Sequence, residues 1–456
     1  MAVRALVTPG LVRAVALSSG RGHLGLSADR PKRRRSCSSS CVRIIAMASP
    51  KKVLVPVADG TEEMEAVIVI DVLRRAGAHV TVASVGQEPK VTASRGVKLV
   101  ADAIVSECGD EKYDLVVLPG GMPGAEHLRD SKALEDITRG QAQEQRAYAA
   151  ICAAPAVALE SWGLLNGLKA TCYPSFVSKL SDPSSAESRV VKDGLVVTSR
   201  GPGTAMEFAL TLVEQLYGKE KTQEVSKGLV GGGCLARFFS ELPKFCFGQI
   251  LLEGKPTKLE FNQTAWAAKV PSKPQVLVPI ANGSEEMEAV IIIDVLRRAG
   301  MGVVVASVEE TLQIVASRKV KIEADNLIGE VSSAHFDAIF LPGGMPGAEH
   351  LRDSKELQSI LARQAKDSRV YGAICASPAV VLEANKILAG KKATAFPAFQ
   401  SKLSDQSAVE ARVVIDGLVA TSQGPGTAME FALAIVDKFS GKDSAVKTAE
   451  AMLFSY

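Results

Sequence analysis

The stretch Ala149-Ala150-Ile151-Cys152-Ala153-Ala154-Pro155 recurs later, nearly unchanged, as Gly372-Ala373-Ile374-Cys375-Ala376-Ser377-Pro378. In each copy, small and β-branched residues lead into a cysteine, and a helix-compatible run that begins with proline follows. Proline is tolerated in the first turn of a helix, where its missing N–H costs nothing. The pattern therefore predicts that each cysteine lies at a sharp turn from a strand into a helix, the geometry of a nucleophile elbow.

Two interpretations of these cysteines are open. A helix N-terminus favours a thiolate, which predicts lowered pKa values for the thiols of Cys152 and Cys375. Cysteine is also among the residue types most often buried as a small apolar side chain. Because the same setting occurs twice, we favour reactive thiols.

The surroundings of the cysteine are duplicated as well. The segment Leu118–Lys132 recurs without change as Leu341–Lys355. The repeating unit is much longer than a solenoid repeat, so the sequence indicates two domains from a duplication. We predict the following organisation: a leader at 1–48, a first domain at 49–227, a linker at 228–273 and a second domain at 274–456.

Composition indicates α/β domains. The 456 residues are 47% hydrophobic but only 5% aromatic, which suits sheets of buried parallel strands. Near the start of the first domain, an apolar strand at Val53–Val57 precedes a helix at Glu62–Ala76 and a second strand at Val80–Val85. Strands in this order are parallel and joined by a right-handed crossover.

Several classes of protein are disfavoured. The net charge is +3, with no basic patch interleaved with aromatic residues, so a nucleic-acid partner is not expected. The eight cysteines form no C-x-x-C pair, which argues against a zinc site or a disulfide framework. No apolar run reaches the roughly 18 residues needed to span a bilayer. We expect a soluble, intracellular protein without a metal or cofactor.

The predicted leader at 1–48 is rich in Arg, Ser, Ala and Val, with Asp29 as its only acid. This is the composition of an organelle transit peptide. Val42–Ala48 resembles a plastid-type cleavage region, so we expect a chloroplast address. A mitochondrial address, or a disordered basic arm on a cytosolic protein, is the alternative.

Candidate site residues lie where strands of the first domain end. Ligands of open parallel sheets bind at the carboxyl ends of strands, and three elements meet that description: the turn before Glu65, the turn at Gly120 and Gly121, and the segment of Cys152 and Ala153. Glycine N–H groups after a strand are free to face an oxyanion. A thiolate, a carboxyl and N–H donors together can attack a small carbonyl.

The three acids near the start of the first helix are predicted to have different environments. Thr61 is expected to cap this helix, and Glu62 and Glu63 to be exposed acids of its first turn. Glu65 turns with the apolar face, where burial would raise the pKa of its carboxyl and keep it protonated. An ordinary boundary glutamate is the alternative for Glu65.

Four ordered motifs, each found twice, carry a family resemblance. In the first domain they are Glu62-Glu63-Met64-Glu65, Leu118-Pro119-Gly120-Gly121, Ala150-Ile151-Cys152-Ala153 and Ser199-Arg200-Gly201-Pro202-Gly203-Thr204. Together they resemble the ThiJ/PfpI superfamily, in particular its protein deglycase branch and the tandem-domain plant members. The resemblance covers both domains and excludes the leader, the linker and the last few residues.

The resemblance implies two tandem flavodoxin-like three-layer sandwiches, each with its cysteine on the elbow. It implies a nucleophilic Cys152 with Glu65 as acid/base partner and an oxyanion pocket at Gly121 and Ala153. The corresponding residues of the second domain are Cys375, Glu288, Gly343, Gly344 and Ala376. Many family members are homodimers, so the tandem domains are expected to pair within one chain, with a contact near Asp71, Arg75, Arg95, Asp294, Arg298 and Arg318. Assembly into a homo-oligomer stays open.

One departure from the family concerns a histidine. Close relatives carry a Thr-His-Pro segment near the cysteine, whereas this chain has Cys172-Tyr173-Pro174 and Ala395-Phe396-Pro397. Two functions therefore stay open. The first is a cofactor-independent glyoxalase or deglycase acting on methylglyoxal, related dicarbonyls or glycated groups. The alternative is a non-enzymatic redox sensor or chaperone-like stress protein whose cysteines become oxidised and alter a partner interaction.

Overall fold

The computed structural model describes residues 49–230 and 273–456. The leader predicted at 1–48 and residues 231–272 of the predicted linker lie outside the described residues. None of the helices in the two described segments is long and apolar enough to cross a membrane.

The described strands divide into two similar series. Those of the first domain are β1 (Lys52–Val57), β2 (His79–Ser84), β3 (Lys90–Thr92), β4 (Lys98–Val100), β5 (Ala103–Ile104), β6 (Leu115–Leu118), β7 (Ala147–Ile151), β8 (Val190–Asp193) and β9 (Val196–Ser199). Those of the second are β10 (Gln275–Ile280), β11 (Gly302–Ser307), β12 (Gln313–Val315), β13 (Lys321–Glu323), β14 (Asn326–Leu327), β15 (Ala338–Leu341), β16 (Val370–Ile374), β17 (Val413–Asp416) and β18 (Val419–Ser422).

The α-helices follow the same duplication. The first domain has α1 (Glu63–Arg75), α2 (Gly124–Asp130), α3 (Lys132–Gln143), α4 (Ala205–Tyr217) and α5 (Lys219–Val230). The second has α6 (Glu286–Arg298), α7 (Gly347–Asp353), α8 (Lys355–Lys366), α9 (Ala428–Ser440) and α10 (Lys442–Met452).

Each domain is built on a seven-stranded sheet. The strand orders are β5-β2-β1-β6-β7-β9-β8 and β14-β11-β10-β15-β16-β18-β17. All neighbours are parallel except the edge pairs β8–β9 and β17–β18. Central strands such as β1 and β6 are apolar and buried along almost their whole length, as expected for parallel strands covered on both faces. The prediction of two tandem α/β domains with mostly parallel sheets is confirmed.

The start of α1 differs from the expectation. Glu62, not Thr61, caps this helix, because its side chain accepts a hydrogen bond from the backbone N–H of Glu65. Thr61 instead accepts from the N–H of Ala58. Glu62 and Glu63, predicted to be exposed, are both buried, because α1 packs against α6 of the second domain as well as against α4.

The two domains contact each other through equivalent elements of the two repeats. Helices α1 and α6 pack together, and β4 pairs with β13 in antiparallel register, with Leu99 opposite Ile322. The hairpins of the two domains thereby form one four-stranded sheet, β12-β13-β4-β3. The contact is therefore both a helix pair and a continuous sheet, and the expected pairing within one chain is present in the structure.

The last helix of each domain reaches across to the other domain. Helix α5 packs against the turn Pro425–Thr427, and α10 packs against the turn Pro202–Thr204. The sequence analysis did not predict α5, and residues 228–230 of the predicted linker form its last turn. Buried Val225 and Leu229, spaced four apart, were the available signal.

Candidate functional site

Cys152 lies directly after the last residue of β7 and has a left-handed backbone, with φ at 65°. This region is sparsely populated for residues other than glycine, so the turn here is sharp. The Cys152 N–H donates to the carbonyl of Ser199 at 2.9 Å, and the helical turn Pro155–Leu159 follows. The residue is only 9% exposed, so it is buried.

Glu65 comes from α1 and is completely buried. Its Oε2 accepts a hydrogen bond from the N–H of Gly120 at 2.8 Å. A Cβ at position 120 would lie 2.6 Å from Cβ of Cys152 and 2.9 Å from Oε2 of Glu65. The cysteine and the glutamate therefore converge on Gly120, where no side chain fits.

Burial controls the ionisation of this pair. Removal from water raises the pKa of Glu65 to about 7, although the hydrogen bond from Gly120 and the contact with Cys152 oppose the shift. The Oε1 atom of Glu65 is buried and has no hydrogen-bond partner within the described segments. The expected raised pKa of Glu65 is thus present, and the carboxyl is poised to exchange a proton near neutral pH.

The pKa of the Cys152 thiol is raised, whereas the sequence analysis predicted that it would be lowered. Burial raises the pKa of Cys152 well above that of a free thiol, and the nearby Glu65 carboxylate adds to the shift. The N–H of Gly121 donates to the sulfur and lowers the pKa, without overcoming burial. Since two adjacent buried charges are unfavourable, a thiolate here requires Glu65 to hold the proton.

The backbone N–H groups of Gly120 and Gly121, both expected to face an oxyanion, donate to different groups. Gly121 directs its N–H at the sulfur of Cys152, as a donor to developing negative charge should. Gly120 does not have a free N–H, because it donates to Glu65, so it positions the acid instead. Ala153 is buried directly after the cysteine, at the start of the turn that leads into the helical segment.

The second domain repeats this arrangement closely. Cys375 also has φ at 65° and is 9% exposed, and Gly343 donates its N–H to Oε2 of Glu288 at 2.6 Å. Burial raises the pKa of Glu288 to about 8 and that of Cys375 well above its usual value, with the N–H of Gly344 opposing the latter shift. Ala376 is buried beside the cysteine.

The residues in the place of the family histidine lie beside each cysteine. Tyr173 donates its backbone N–H to the carbonyl of Cys152 at 2.8 Å, and Phe396 does the same to Cys375 at 2.8 Å. The hydroxyl of Tyr173 donates to the carbonyl of Ala451 at 3.1 Å, in the second domain. Neither ring supplies an imidazole, so the carboxyl is the acid/base group in contact with each sulfur.

Sequence reasoning placed Arg75 and Arg298 near the contact between the domains but did not identify their partners across it. Arg298 of the second domain donates to Oε1 of Glu62 at 2.6 Å, and Oε2 of Glu62 accepts from the N–H of Glu65 at 2.7 Å. Arg75 of the first domain contacts Glu285 in the same way at 2.7 Å. Each domain therefore holds the cap of the helix that carries the other domain's acid. The sequence signal for these ion pairs was the presence of the same acids and arginines at equivalent positions of both repeats.

Two groups of buried carboxylates could in principle hold a cation. They are Glu62, Glu63 and Asp294, and their counterparts Asp71, Glu285 and Glu286. In the first group, the guanidinium of Arg298 bonds both Glu62 and Asp294, and Arg75 does the same in the second. The arginines already provide the positive charge, which identifies both groups as ion-pair networks that join the domains.

Comparison with known proteins covers both halves of the chain. Residues 51–215 and 274–438 each match the DJ-1/PfpI family. The chain is 52% identical over 425 residues to "Protein DJ-1 homolog B" of Arabidopsis thaliana, which covers 92% of this chain and 91% of that protein. It is 49% identical over 409 residues to "Protein DJ-1 homolog A" of the same plant, covering 88% and 98%. It is 34% identical over 195 residues to "Glutathione-independent glyoxalase DJR-1.2" of Caenorhabditis elegans, covering 42% and 100%.

Proposed function

This chain belongs to the DJ-1/PfpI family, and from that premise we propose that it is a glutathione-independent glyoxalase-type enzyme that acts on methylglyoxal and related reactive carbonyls, with deglycation of adducts as a related activity. One family relative carries the glyoxalase activity in its name. The observation that supports the proposal most directly is the convergence of Cys152, Glu65 and Gly121 in one buried site.

The reaction begins with transfer of the thiol proton. The carboxylate of Glu65 accepts the proton of Cys152 as the sulfur attacks the aldehyde carbon, so a C–S bond forms and the oxygen becomes a hemithioacetal alkoxide. The N–H of Gly121 faces the sulfur and stabilises negative charge that develops beside it. A thiol with a raised pKa can act in this way because its base is in contact with it.

Glu65 then transfers protons within the adduct. It first returns the thiol proton to the alkoxide oxygen, which gives the neutral hemithioacetal and regenerates the carboxylate. The carboxylate then removes the hydrogen from the former aldehyde carbon and returns it to the neighbouring ketone carbon, while the hydroxyl proton passes to the former ketone oxygen, so the hemithioacetal becomes a thioester. Water hydrolyses the thioester and releases lactate and the free thiol. Overall, methylglyoxal and one water give lactic acid, with no external oxidant or reductant. A carboxyl with a pKa of about 7 suits both directions of proton transfer.

The decisive assay measures lactate formed from methylglyoxal by the full chain and by Cys152→Ser, Cys375→Ser and the double variant. We expect turnover by the wild-type protein, a partial loss in each single variant and complete loss in the double variant. Failure of the wild-type protein to form lactate, or full activity of the double variant, would contradict the proposal.

A second candidate function is redox sensing. It is favoured by the tyrosine and phenylalanine at the histidine position, since two equivalents of peroxide oxidise a thiolate to a sulfinic acid without an imidazole, while the neighbouring carboxyl holds the proton. In this function the oxidised cysteine changes the interaction with a partner protein. Sulfinic acid at Cys152 or Cys375 after mild peroxide, detected by mass spectrometry in a protein that makes no lactate, would select this function over catalysis.

We also propose that residues 1–48 direct the protein to the chloroplast. The support is their composition and the resemblance of Val42–Ala48 to a plastid-type cleavage region, because they lie outside the described residues. Sequencing of the mature N-terminus in plant tissue, together with localisation of a fluorescent fusion to residues 1–48, tests the address. Import into mitochondria, or an unprocessed cytosolic protein, would contradict it.

A further inference from the structure

A cleft of about 590 Å³ lies between the two domains. One wall comes from Arg95 of the first domain, and the others come from the end of α6 and from α9 and α10 of the second. Its charged side chains are four cations and one acid, namely Arg95, Arg297, Arg298, Lys447 and Asp443. The volume is within the range of about 300–1,000 Å³ that is common for small-molecule sites.

Two of the four cations already form ion pairs with carboxylates of the protein. Arg297 donates to Asp325 at 3.2 Å, and Arg298 pairs with Glu62 and Asp294. Arg95 and Lys447 are different. Both are exposed, and within the described segments no carboxylate lies at ion-pair distance from either side chain. The cleft therefore offers two cations that make no ion pair within the described segments, against the single acid Asp443.

The cleft borders the first site. Its Arg298 contacts Glu62, the residue that caps the helix of Glu65. Its Ala451 accepts a hydrogen bond from Tyr173, whose backbone N–H is bonded to Cys152. A molecule bound in the cleft would thus lie against Arg298 and Ala451, each of which contacts a residue that is hydrogen-bonded to the reactive pair of the first domain.

The corresponding helix of the first domain carries different charges. Where α10 has Asp443, Ser444 and Lys447, α5 has Glu220, Lys221 and Glu224. Lys221 is paired with Glu224 at 2.7 Å, so its charge is neutralised, and Glu220 stays as an acid. The duplication has therefore preserved the helix but not a cation at the position of Lys447, where α5 has Glu224, so the charges at these equivalent positions differ.

We propose that the cleft lined by Arg95 and Lys447 is a binding site for a small anion that carries a carboxylate or phosphate group, and that the equivalent position beside the second site is not. A guanidinium forms two parallel hydrogen bonds with either group, and the lysine adds a mobile point charge. The proposal does not depend on the proposed reaction, because it concerns binding and is measured without turnover.

Isothermal titration calorimetry of the full chain at low ionic strength tests the site, with inorganic phosphate and succinate as separate probes. We expect saturable binding of one anion per chain. The Lys447→Glu variant, which introduces the charge found at Glu224, should bind roughly tenfold more weakly or worse, since an attraction becomes a repulsion. Addition of salt should weaken binding, because the groups are exposed.

Matched variants separate the site from general charge effects. Glu224→Lys adds the same charge on the equivalent helix and should leave binding of the first anion unchanged, whereas Arg95→Ala should weaken it. Circular dichroism confirms that each variant is folded. Binding of phosphate alone or succinate alone identifies the preferred group. Absence of saturable binding of both probes, or equal affinity in Lys447→Glu and wild-type protein, would overturn the proposal.

Discussion

Arg298 and Glu62, which belong to different domains, are joined by a hydrogen bond of 2.6 Å between Nη2 and Oε1. The other oxygen of Glu62 holds the N–H of Glu65, so the acid of the first site depends on an arginine of the second domain. The reciprocal contact joins Arg75 to Glu285. The two sites are therefore built by the pair of domains together.

The first prediction concerns this arginine. In a Cys375→Ser background, which leaves only the first site, Arg298→Ala should lower both stability and lactate formation. Removing one partner of a buried ion pair costs about 3 kcal/mol, measurable by urea unfolding. In the same background Arg75→Ala should cost similar stability but reduce activity less, because its contact is with Glu285. Equal losses of activity would contradict this cross-domain assignment.

The second prediction concerns the proton carrier. In the same background Glu65→Gln should lower kcat by roughly 10²–10⁴, the usual contribution of a general acid/base. The amide keeps the shape of the side chain but cannot accept the thiol proton. Glu288→Gln is the matched control and should change kcat little, since it lies in the second site. Unimpaired turnover by Glu65→Gln would assign proton transfer to another group.

The third prediction concerns pH and stability. Burial raises the pKa of Glu65 to about 7 and that of Glu288 to about 8, from an ordinary value of 4.5. The folded protein therefore keeps protons that the unfolded chain has already lost. This contribution to stability is complete below about pH 4.5 and is lost as the pH rises through 7 and 8.

Chemical unfolding between pH 5.5 and 8.5 measures this linkage. The free energy of unfolding should fall with rising pH, by up to roughly 1.4 kcal/mol per pH unit for each extra proton held by the native state. In a Glu65→Gln, Glu288→Gln double variant the slope should be shallower. An identical slope in the double variant would show that other groups hold the protons.

The fourth prediction concerns Gly120. An alanine there would place its Cβ 2.6 Å from that of Cys152, so we expect a loss of about 1–3 kcal/mol from overpacking and slower alkylation of Cys152. Gly140→Ala is the control. Its added Cβ meets nothing within 4 Å, and in a helix it should stabilise the protein by roughly 0.5–1 kcal/mol. Wild-type alkylation in Gly120→Ala would be inconsistent with the described convergence.

The fifth prediction concerns a substitution that introduces an imidazole at position 173. Because Tyr173 is bonded through its backbone to Cys152, Tyr173→His should place a ring nitrogen beside the sulfur and increase turnover of the first site by about tenfold or more. Tyr173→Phe separates this gain from loss of the hydroxyl contact with Ala451. If histidine gives no more activity than phenylalanine, an imidazole at this position does not assist the reaction.

Much of the fold was accessible from sequence because its signals are local. Continuous apolar strands such as β1 and the repeated segment at Leu118–Lys132 indicated two parallel α/β domains, and the structure has them. Helix α5 was missed because its apolar residues are few, and it packs against α4 and against the turn Pro425–Thr427 of the other domain, contacts that the sequence does not show.

The candidate site residues could be selected from the sequence, but the pKa values of their side chains could not be predicted from it. Strand ends and glycines located Cys152, Glu65 and Gly121 correctly relative to one another. The expected lowering of the thiol pKa considered only the helix that follows Cys152. It could not include the burial of the thiol itself, which reverses the direction of the shift, or the neighbouring Glu65 carboxylate, which adds to it.

By itself, the sequence determined the duplication, the strand-to-helix turn at each cysteine and the residue types of the site, because these depend on neighbours along the chain. Only the tertiary structure decided that Glu62 is buried, that Arg298 reaches it from the other domain, and that free positive charge faces the cleft at Arg95 and Lys447. Burial and Coulomb interactions depend on distances through space, and the contact between the two domains sets those distances.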